Sequence, residues 1–286
     1  MAATRPVHPL QYARSRPWLR FERSIMKIGA MNHPARDPLG EIEWIGQNAF
    51  DFVDFTLEPP AADADQIDPR AVRAALDRHG LGVVAHTAWY LPFGTPFGGV
   101  REACLAEFLR TLRVAREIGA TVMNVHYGKP PSFFSKEQVV QWHVEVLSRL
   151  CDKAESLGIT IVLEHLPFAG SDQLEHIVAI MESVPLLRFH IDSGHAKLER
   201  GYDRWDEYLA ALGEKLLHVH LSENDGSADQ HLPPGSAPRS STDWPEHIRK
   251  LKATGYDGTI TLEVFSPHKE YLFASRDLLM KWWDQA

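Results

Sequence analysis

Two kinds of segment alternate along the chain from residue 26 onward. Short β-rich runs, apolar at most positions, are separated by longer stretches with helical periodicity. Strands that are apolar throughout are typical of a parallel sheet buried on both faces. The predicted strands are Lys27–Met31, Asp51–Leu57, Gly82–His86, Thr121–His126, Thr160–Glu164, Leu187–Asp192, Leu216–Leu221 and Thr259–Val264. The predicted helices include Asp68–His79, Arg101–Ile118, Glu137–Leu157, Asp172–Ser183, Trp205–Leu212, Trp244–Ala253 and Tyr271–Trp283.

This serial order of strand and helix predicts an α/β protein of the (β/α)8 TIM-barrel class. Two helix-to-strand joints, Glu117–Thr121 and Ser156–Thr160, each carry Gly where a helix C-terminus favours positive φ. A doubly wound open sheet is the alternative, but no Gly-rich phosphate-binding motif follows the first strand. We therefore expect residues 26–286 to form a single barrel domain.

The first 25 residues differ in composition from the rest of the chain. They contain five arginines and one acidic residue, Glu22, without the apolar run of a secretory signal. An amphipathic targeting segment is one interpretation. We expect instead a flexible N-terminal extension that precedes the barrel.

Net charge, cysteine positions and the length of apolar runs disfavour several classes of protein. The 286 residues carry a net charge of -8, which disfavours a protein that binds the nucleic-acid backbone. Both cysteines, Cys104 and Cys151, fall in predicted helices, so a disulfide framework is not indicated. No apolar run is long enough for a membrane span. These features predict a cytoplasmic protein without a membrane or nucleic-acid partner.

The strongest chemical signal lies at the strand ends. Six consecutive predicted strands carry an ionisable side chain at their last or next-to-last residue, and in a barrel these ends converge on one mouth. A single His there is more often structural, but six buried ionisable groups in one cavity need a compensating charge. Imidazole and carboxylate groups are ligands that suit a divalent metal ion. We therefore predict a divalent metal ion as the cofactor and no organic cofactor. The six residues are His86, His126, Glu164, Asp192, His220 and Glu263.

Two further motifs follow the strands, Asp192-Ser-Gly-His195 and Asp229-Gln-His231. Together with His190-Ile-Asp192, His218-Val-His220 and the run from His231 to Gly235, they resemble the xylose-isomerase-like TIM-barrel superfamily. The resemblance covers Met26 to the C-terminus. That superfamily contains sugar isomerases and epimerases and also abasic-site nucleases of the endonuclease IV type.

The resemblance implies roles for individual residues. A shared four-ligand site for Mn2+, Mg2+ or Zn2+ would use Glu164, Asp192, His220 and Glu263. The additional ligands with which the nuclease branch holds three zinc ions match His86, His126, His195, Asp229 and His231.

Two reactions remain open from the sequence. Our leading interpretation is a metal-dependent isomerase or epimerase of a sugar, sugar phosphate or polyol, acting through an enediolate. The resemblance then implies that Glu164 and Glu263 transfer the proton and that His195 polarises a substrate oxygen. The alternative is a multi-zinc abasic-site endonuclease, which the complete set of additional ligands favours. The acidic charge and the Leu232-Pro-Pro-Gly235 loop favour the isomerase, although the insertion Ala237–Thr242 departs from that branch.

Four residues near the predicted mouth are candidates for substrate binding. Trp89 could stack on a sugar face, Lys129 could bind an anionic group, and His165 and Glu58 could hydrogen-bond hydroxyls. A hydrophobic lid, a solvated lysine, a structural histidine and a rim acceptor are the competing interpretations. We expect a small-molecule sugar or polyol as the partner. The oligomeric state is left open, with a homo-oligomer among the options.

Overall fold

The computed structural model describes residues 26–167, 173–199, 201–237 and 242–286. The predicted N-terminal extension, residues 1–25, lies outside the described residues.

Eight parallel strands close into a barrel in which each strand pairs with the next and the last pairs with the first. This confirms the predicted TIM barrel. The strands are β1 Lys27–Met31, β2 Phe52–Leu57, β3 Gly82–Thr87, β4 Val122–His126, β5 Thr160–Glu164, β6 Arg188–Asp192, β7 Leu216–Leu221 and β8 Thr259–Leu262.

Helices follow the strands around the outside of the barrel, and a 3-10 turn at Gly213–Lys215 precedes β7. Two of them, α1 (Pro38–Gln47) and α6 (Ser193–Leu198), are absent from the set predicted by name. The signal for α1 is Asp37 followed by Pro38, because the Asp37 carboxylate accepts from Gly40 N at 2.9 Å and caps the helix. The described helices are α1 Pro38–Gln47, α2 Pro69–His79, α3 Gly98–Glu117, α4 Lys136–Ser156, α5 Gln173–Ser183, α6 Ser193–Leu198, α7 Trp205–Leu212, α8 Trp244–Ala253 and α9 Tyr271–Gln285.

Side chains inside the barrel change from apolar to polar along the strands. The layer near the strand beginnings is apolar and consists of Phe52, Val84, Val122 and Val162. Two residues later along β2, β4 and β5 the same face carries Asp54, Asn124 and Glu164. Because strand side chains alternate faces, this period of two places the polar groups above the apolar layer, toward the mouth.

The main apolar core lies between the strands and the surrounding helices. Both cysteines are buried in it, Cys104 in α3 and Cys151 in α4, and neither is disulfide-bonded. Among the described residues, no helix is both long enough and apolar enough to cross a membrane.

Candidate metal centre and active-site cavity

A cavity of about 540 Å³ opens where the strands end, and we call it the mouth cavity. Loops after several strands form its walls, as is typical of TIM-barrel active sites. Its lining residues include Glu58, His86, Trp89, His126, Glu164, His195, Asp229, His231, Glu263 and Phe265.

Four of the predicted ligands form one buried cluster at the floor of this cavity. Ligand atoms of Glu164, Asp192, His220 and Glu263 all lie within 4.8 Å of one another. The strands β5 to β8 each contribute one of these residues in turn, within one residue of the strand end. Three carboxylates this close and this buried repel one another, and a bound cation would compensate them.

Two carboxyl groups of the cluster have pKa values that are shifted in opposite directions. Burial raises the pKa of Asp192 to about 7, and the nearby carboxylates of Glu263 and Glu164 add to that rise. Burial alone would also raise the pKa of Glu263, but the imidazoles of His231 and His220 outweigh it and lower that pKa to about 2. Neighbouring carboxylates with opposite shifts are typical of functional sites.

Asp192 links the cluster to the helix that follows it. Its Oδ1 accepts from His195 N at 2.7 Å and so caps the first turn of α6. Its Oδ2 is buried without a hydrogen-bond partner and lies 3.9 Å from His220 Nδ1. A buried oxygen of this kind requires a partner, and a divalent cation among the four converging ligands fits that requirement.

Glu164 is oriented by a hydrogen-bond chain inside the barrel. Asn124 Nδ2 donates to Glu164 Oε2 at 2.6 Å, and Asn124 Oδ1 in turn lies 3.0 Å from His190 Nδ1. The other oxygen of Glu164, Oε1, lies 3.5 Å from His195 Nδ1. The carboxylate is therefore held in one orientation at the boundary between the cluster and the cavity.

The five additional candidate ligands line the cavity wall beside the cluster. His86 Nε2 and His126 Nε2 lie 3.0 Å apart, and His126 Nε2 is 3.1 Å from Glu164 Oε2. On the opposite wall, Asp229 Oδ2 lies 3.1 Å from His195 Nε2 and 3.2 Å from His231 Nε2. The structure thus brings all nine predicted ligand residues to one site.

His195 lies between the cluster and the cavity. Its Nδ1 is 2.8 Å from the carbonyl oxygen of His165. Burial alone would lower the pKa of His195, but the carboxylates of Asp192 and Asp229 outweigh it and raise that pKa well above its ordinary value. A charged imidazole at this position could donate a hydrogen bond to a ligand oxygen.

The loop that carries Asp229 and His231 is anchored by the segment before it. Glu223 and Leu232 form an antiparallel bridge with both N–O distances at 2.8 Å. The Glu223 carboxylate also accepts from Trp244 Nε1 at 2.8 Å. His231 has a φ of 47°, a left-handed conformation that costs energy outside Gly and that these contacts maintain.

The structure brings two of the four candidate substrate contacts into the cavity. Trp89 and Glu58 line it, and burial raises the pKa of Glu58. His165 is fully buried, accepts from Asp192 N at 3.1 Å and stacks on Tyr208 at 4.1 Å, so it supports Asp192 from behind. Lys129 is exposed and does not line the cavity.

Sequence reasoning assigned no functional role to four polar residues inside the barrel, Asp54, Asn124, His190 and His218, all buried. The signal was present as polar residues at a spacing of two along the strands. Three of them come two residues before a predicted ligand of the same strand, as in Asn124-Val-His126.

The closed barrel and its cluster of ligands define a TIM-barrel protein with a candidate divalent-metal centre at the mouth. The family model of the xylose isomerase-like TIM barrel matches residues 42–282. The chain therefore belongs to this family.

Several relatives extend the comparison. An uncharacterized protein of Methanocaldococcus jannaschii is 28% identical over 242 residues, which cover 78% of this chain and 77% of that protein. Fructoselysine 3-epimerase of Escherichia coli O157:H7 is 30% identical over 127 residues, covering 42% of this chain and 44% of the epimerase. A probable endonuclease 4 of Symbiobacterium thermophilum is 27% identical over 199 residues, covering 63% and 70% respectively.

Among solved structures, a D-tagatose 3-epimerase-like protein superposes with a TM-score of 0.78 at 24% identity. The superposition covers 91% of this chain and 97% of that protein. This similarity supports the barrel fold over nearly the whole described chain.

Proposed function

We propose that this protein is a divalent-metal-dependent isomerase or epimerase of a sugar, sugar phosphate or polyol. One observation carries the proposal. Within the four-ligand cluster only Glu164 and Glu263 also line the mouth cavity, whereas Asp192 and His220 lie behind them. Two carboxylates that belong to the cluster and also face a ligand are suited to proton transfer beside a metal.

Glu164, Asp192, His220 and Glu263 would hold a divalent ion, whose Lewis acidity would make the C–H bond next to a substrate carbonyl more acidic. Glu164 and Glu263 are placed on β5 and just after β8, so they approach a bound ligand from different sides. One carboxylate would remove the proton, and the other, in its protonated form, would donate a proton to the opposite face of the carbon, after which both exchange protons with water to regain their starting states. His195 would hydrogen-bond the substrate oxygen on which negative charge develops.

The surrounding contacts suit these roles. Asn124 holds one oxygen of Glu164, and His220 Nδ1 lies 3.0 Å from Glu263 Oε2, so both carboxylates are oriented before a ligand binds. Trp89 is 58% exposed at the rim, where its ring could stack on a sugar face.

The comparisons support the same class of reaction. Fructoselysine 3-epimerase and the D-tagatose 3-epimerase-like protein are named for epimerisation of sugar-type substrates. The matched region spans less than half of the first of these, and the second is only 24% identical in sequence to this chain. We therefore extend to this chain only the class, a small sugar or polyol, and not a particular substrate.

Solvent exchange tests the proposal. Metal-loaded protein in D2O is expected to incorporate deuterium at a carbon-bound position of at least one ketose in a panel, detected by proton NMR. Glu164→Gln and Glu263→Gln should each abolish conversion of that ketose to its product, because each removes one of the two proton carriers. Asp257→Ala is the matched control, since Asp257 is exposed near the beginning of β8, at the other end of the barrel. Product formation that persists in both Gln variants would contradict the roles.

A multi-zinc abasic-site endonuclease is the second candidate. The observation that favours it is the complete set of additional ligands on the cavity wall, His86, His126, His195, Asp229 and His231. The match to a probable endonuclease 4 agrees with it. Metal analysis separates the two candidates: about one equivalent of Mn2+ or Mg2+ supports the isomerase, whereas about three of zinc support the nuclease.

A further inference from the structure

Asp54 on β2 is a buried carboxylate beneath the four-ligand cluster. A single one of its oxygens, Oδ2, accepts several hydrogen bonds. His218 Nε2 lies 2.9 Å and His220 Nε2 lies 2.8 Å from Asp54 Oδ2, and Thr261 Oγ1 donates to the same oxygen at 2.8 Å. Its donors come from β7 and β8, across the interior of the barrel. Asp54 is fully buried.

The two nitrogens of His220 face different groups. Nε2 faces Asp54, whereas Nδ1 lies 3.0 Å from Glu263 Oε2 and 3.9 Å from Asp192 Oδ2. An ionised carboxylate only accepts hydrogen bonds, so Nε2 must carry hydrogen to bond Asp54. A neutral imidazole has one such hydrogen, and its Nδ1 lone pair then points into the cluster of carboxylates. A cation placed there would make that lone pair a ligand.

We propose that Asp54 is a positioning residue of the metal centre, which fixes the tautomer and ring orientation of His220 so that Nδ1 is the ligand atom. This inference rests on the metal site of the proposed function. A carboxylate behind a ligating imidazole restrains the ring and raises its basicity. Asp54 thereby acts on the metal through His220 without touching a substrate in the mouth cavity.

The Asp54 carboxylate also lies close to one of the additional candidate ligands, His86. Asp54 Oδ1 lies 3.3 Å from His86 Nδ1, while His86 Nε2 faces His126 Nε2 at 3.0 Å. The rings of His86 and His220 stack with centroids 5.4 Å apart. One buried acid therefore hydrogen-bonds an imidazole of the four-ligand cluster and lies within ion-pair distance of an imidazole of the neighbouring wall.

A purely structural role would make Asp54 a hydrogen-bond anchor between strands, with no effect on the metal. The hydroxyl of Thr261 provides the matched control, because Thr261→Val removes a bond to the same Asp54 oxygen without touching His220. Asp54→Asn preserves the shape and an acceptor but removes the charge, and it serves where Asp54→Ala fails to fold. Zinc dissociation constants are measured by competition with a chromophoric chelator, on full-length protein whose folding is checked by circular dichroism.

We expect Asp54→Ala to raise the zinc dissociation constant by about 10- to 100-fold, and Asp54→Asn to raise it less but measurably. Thr261→Val should stay close to wild type. In zinc-loaded wild-type protein, proton NMR should show a low-field imidazole N–H resonance from His220 Nε2, identified by its loss in Asp54→Ala or its shift in Asp54→Asn. Wild-type zinc affinity in every folded Asp54 variant, or an equal effect of Thr261→Val, would overturn the inference. Failure of the wild-type protein to bind any divalent metal would instead overturn the proposed function.

Discussion

The Nε2 atoms of His86 and His126 lie 3.0 Å apart although both side chains are buried. At most one hydrogen can occupy the space between them, so at least one nitrogen presents a lone pair to the other. Glu164 Oε2 lies 3.1 Å from His126 Nε2, and ligand atoms of the three residues lie within 4.8 Å of one another. Two imidazoles and one carboxylate in this arrangement can bind a second cation beside the four-ligand cluster.

A zinc titration of metal-free protein should therefore show two classes of site. The first equivalent is expected at the four-ligand cluster, and a weaker second one at His86 and His126, because that site has fewer carboxylates. His126→Ala should remove the second class and leave the first, as measured by chelator competition. Loss of the tight site in His126→Ala would show that His126 belongs to the main centre instead.

Two substitutions at Asp192 separate its ligand role from its capping role. Asp192→Ala removes both the ligand and the cap of α6, whereas Asp192→Asn retains an oxygen that can accept from His195 N. Both variants should lose bound metal and catalysis together. Asp192→Ala alone should lose a further ~1 kcal/mol of unfolding free energy, as expected for a lost N-cap. Elemental analysis and chemical denaturation measure the two effects, and full metal occupancy in Asp192→Ala would contradict the assignment.

The pH dependence of stability should carry a contribution from His143, which lies outside the metal centre. Burial lowers the pKa of His143 to about 4 from 6.5. Its Nε2 accepts from Gly128 N at 3.2 Å and its Nδ1 donates to Val139 O at 2.8 Å, so a second proton would face a donor. The folded protein therefore binds this proton more weakly than the unfolded chain does.

The stabilisation from neutral His143 is fully present above pH 6.5 and is lost as the pH falls toward 4. The pKa difference corresponds to a loss of about 3 kcal/mol of unfolding free energy across this window. His143→Gln, which cannot titrate, should show a correspondingly smaller fall between the two pH values in denaturant melts. An unchanged slope in the variant would mean that other groups produce the fall.

The sequence was sufficient to predict the barrel and to identify the candidate residues that gather at its mouth, because both depend on local patterns. Each strand end carries its own polar residue directly after an apolar run, so Glu164 or Asp192 can be identified without knowledge of its neighbours. The helix α6 was missed because its six residues, Ser193–Leu198, are too few to show a periodicity. It is recognisable only once Asp192 is seen to cap it.

Residues that act through long-range contacts could not be assigned in this way. His165 directly follows a ligand and looks like a cavity residue, but its ring turns outward to stack on Tyr208 of α7. Asp54 looks like a buried acid in a strand, and the donors of its hydrogen bonds, His218, His220 and Thr261, are 164 or more positions away along the chain. Only the closure of the barrel brings those partners to it.

Substrate binding at the rim should depend on Trp89. Its ring lines the mouth cavity, and stacking on a sugar face would contribute about 0.5–1.5 kcal/mol. Trp89→Ala is therefore expected to raise KM by roughly 2- to 10-fold with kcat nearly unchanged, because this contact does not change during proton transfer. Phe133→Ala, at an exposed aromatic residue outside the cavity, is the control. A fall in kcat without a change in KM would show that Trp89 acts on the chemistry instead.

Charge at the mouth bears on the choice between a sugar and DNA. Four carboxylates line the cavity, those of Glu58, Glu164, Asp229 and Glu263. Lys197 of α6 is buried, and its Nζ donates to Asn224 O at 2.7 Å and lies 3.4 Å from Glu223 Oε1. The Lys197 ammonium group therefore contacts Asn224 and Glu223, the residue that anchors the loop, and does not face a phosphate backbone at the mouth.

We accordingly expect metal-loaded protein to show no measurable affinity for an abasic DNA duplex at physiological salt. Binding a duplex requires basic side chains that neutralise phosphates, and such binding weakens steeply as salt rises. Fluorescence anisotropy of a labelled abasic duplex, measured from low to physiological salt, tests this, with an undamaged duplex as the control. Incubation with zinc followed by gel analysis tests cleavage directly. Strand cleavage at the abasic site that is lost in Glu164→Ala would overturn the isomerase proposal and establish the endonuclease, because the same carboxylate would then serve phosphodiester hydrolysis.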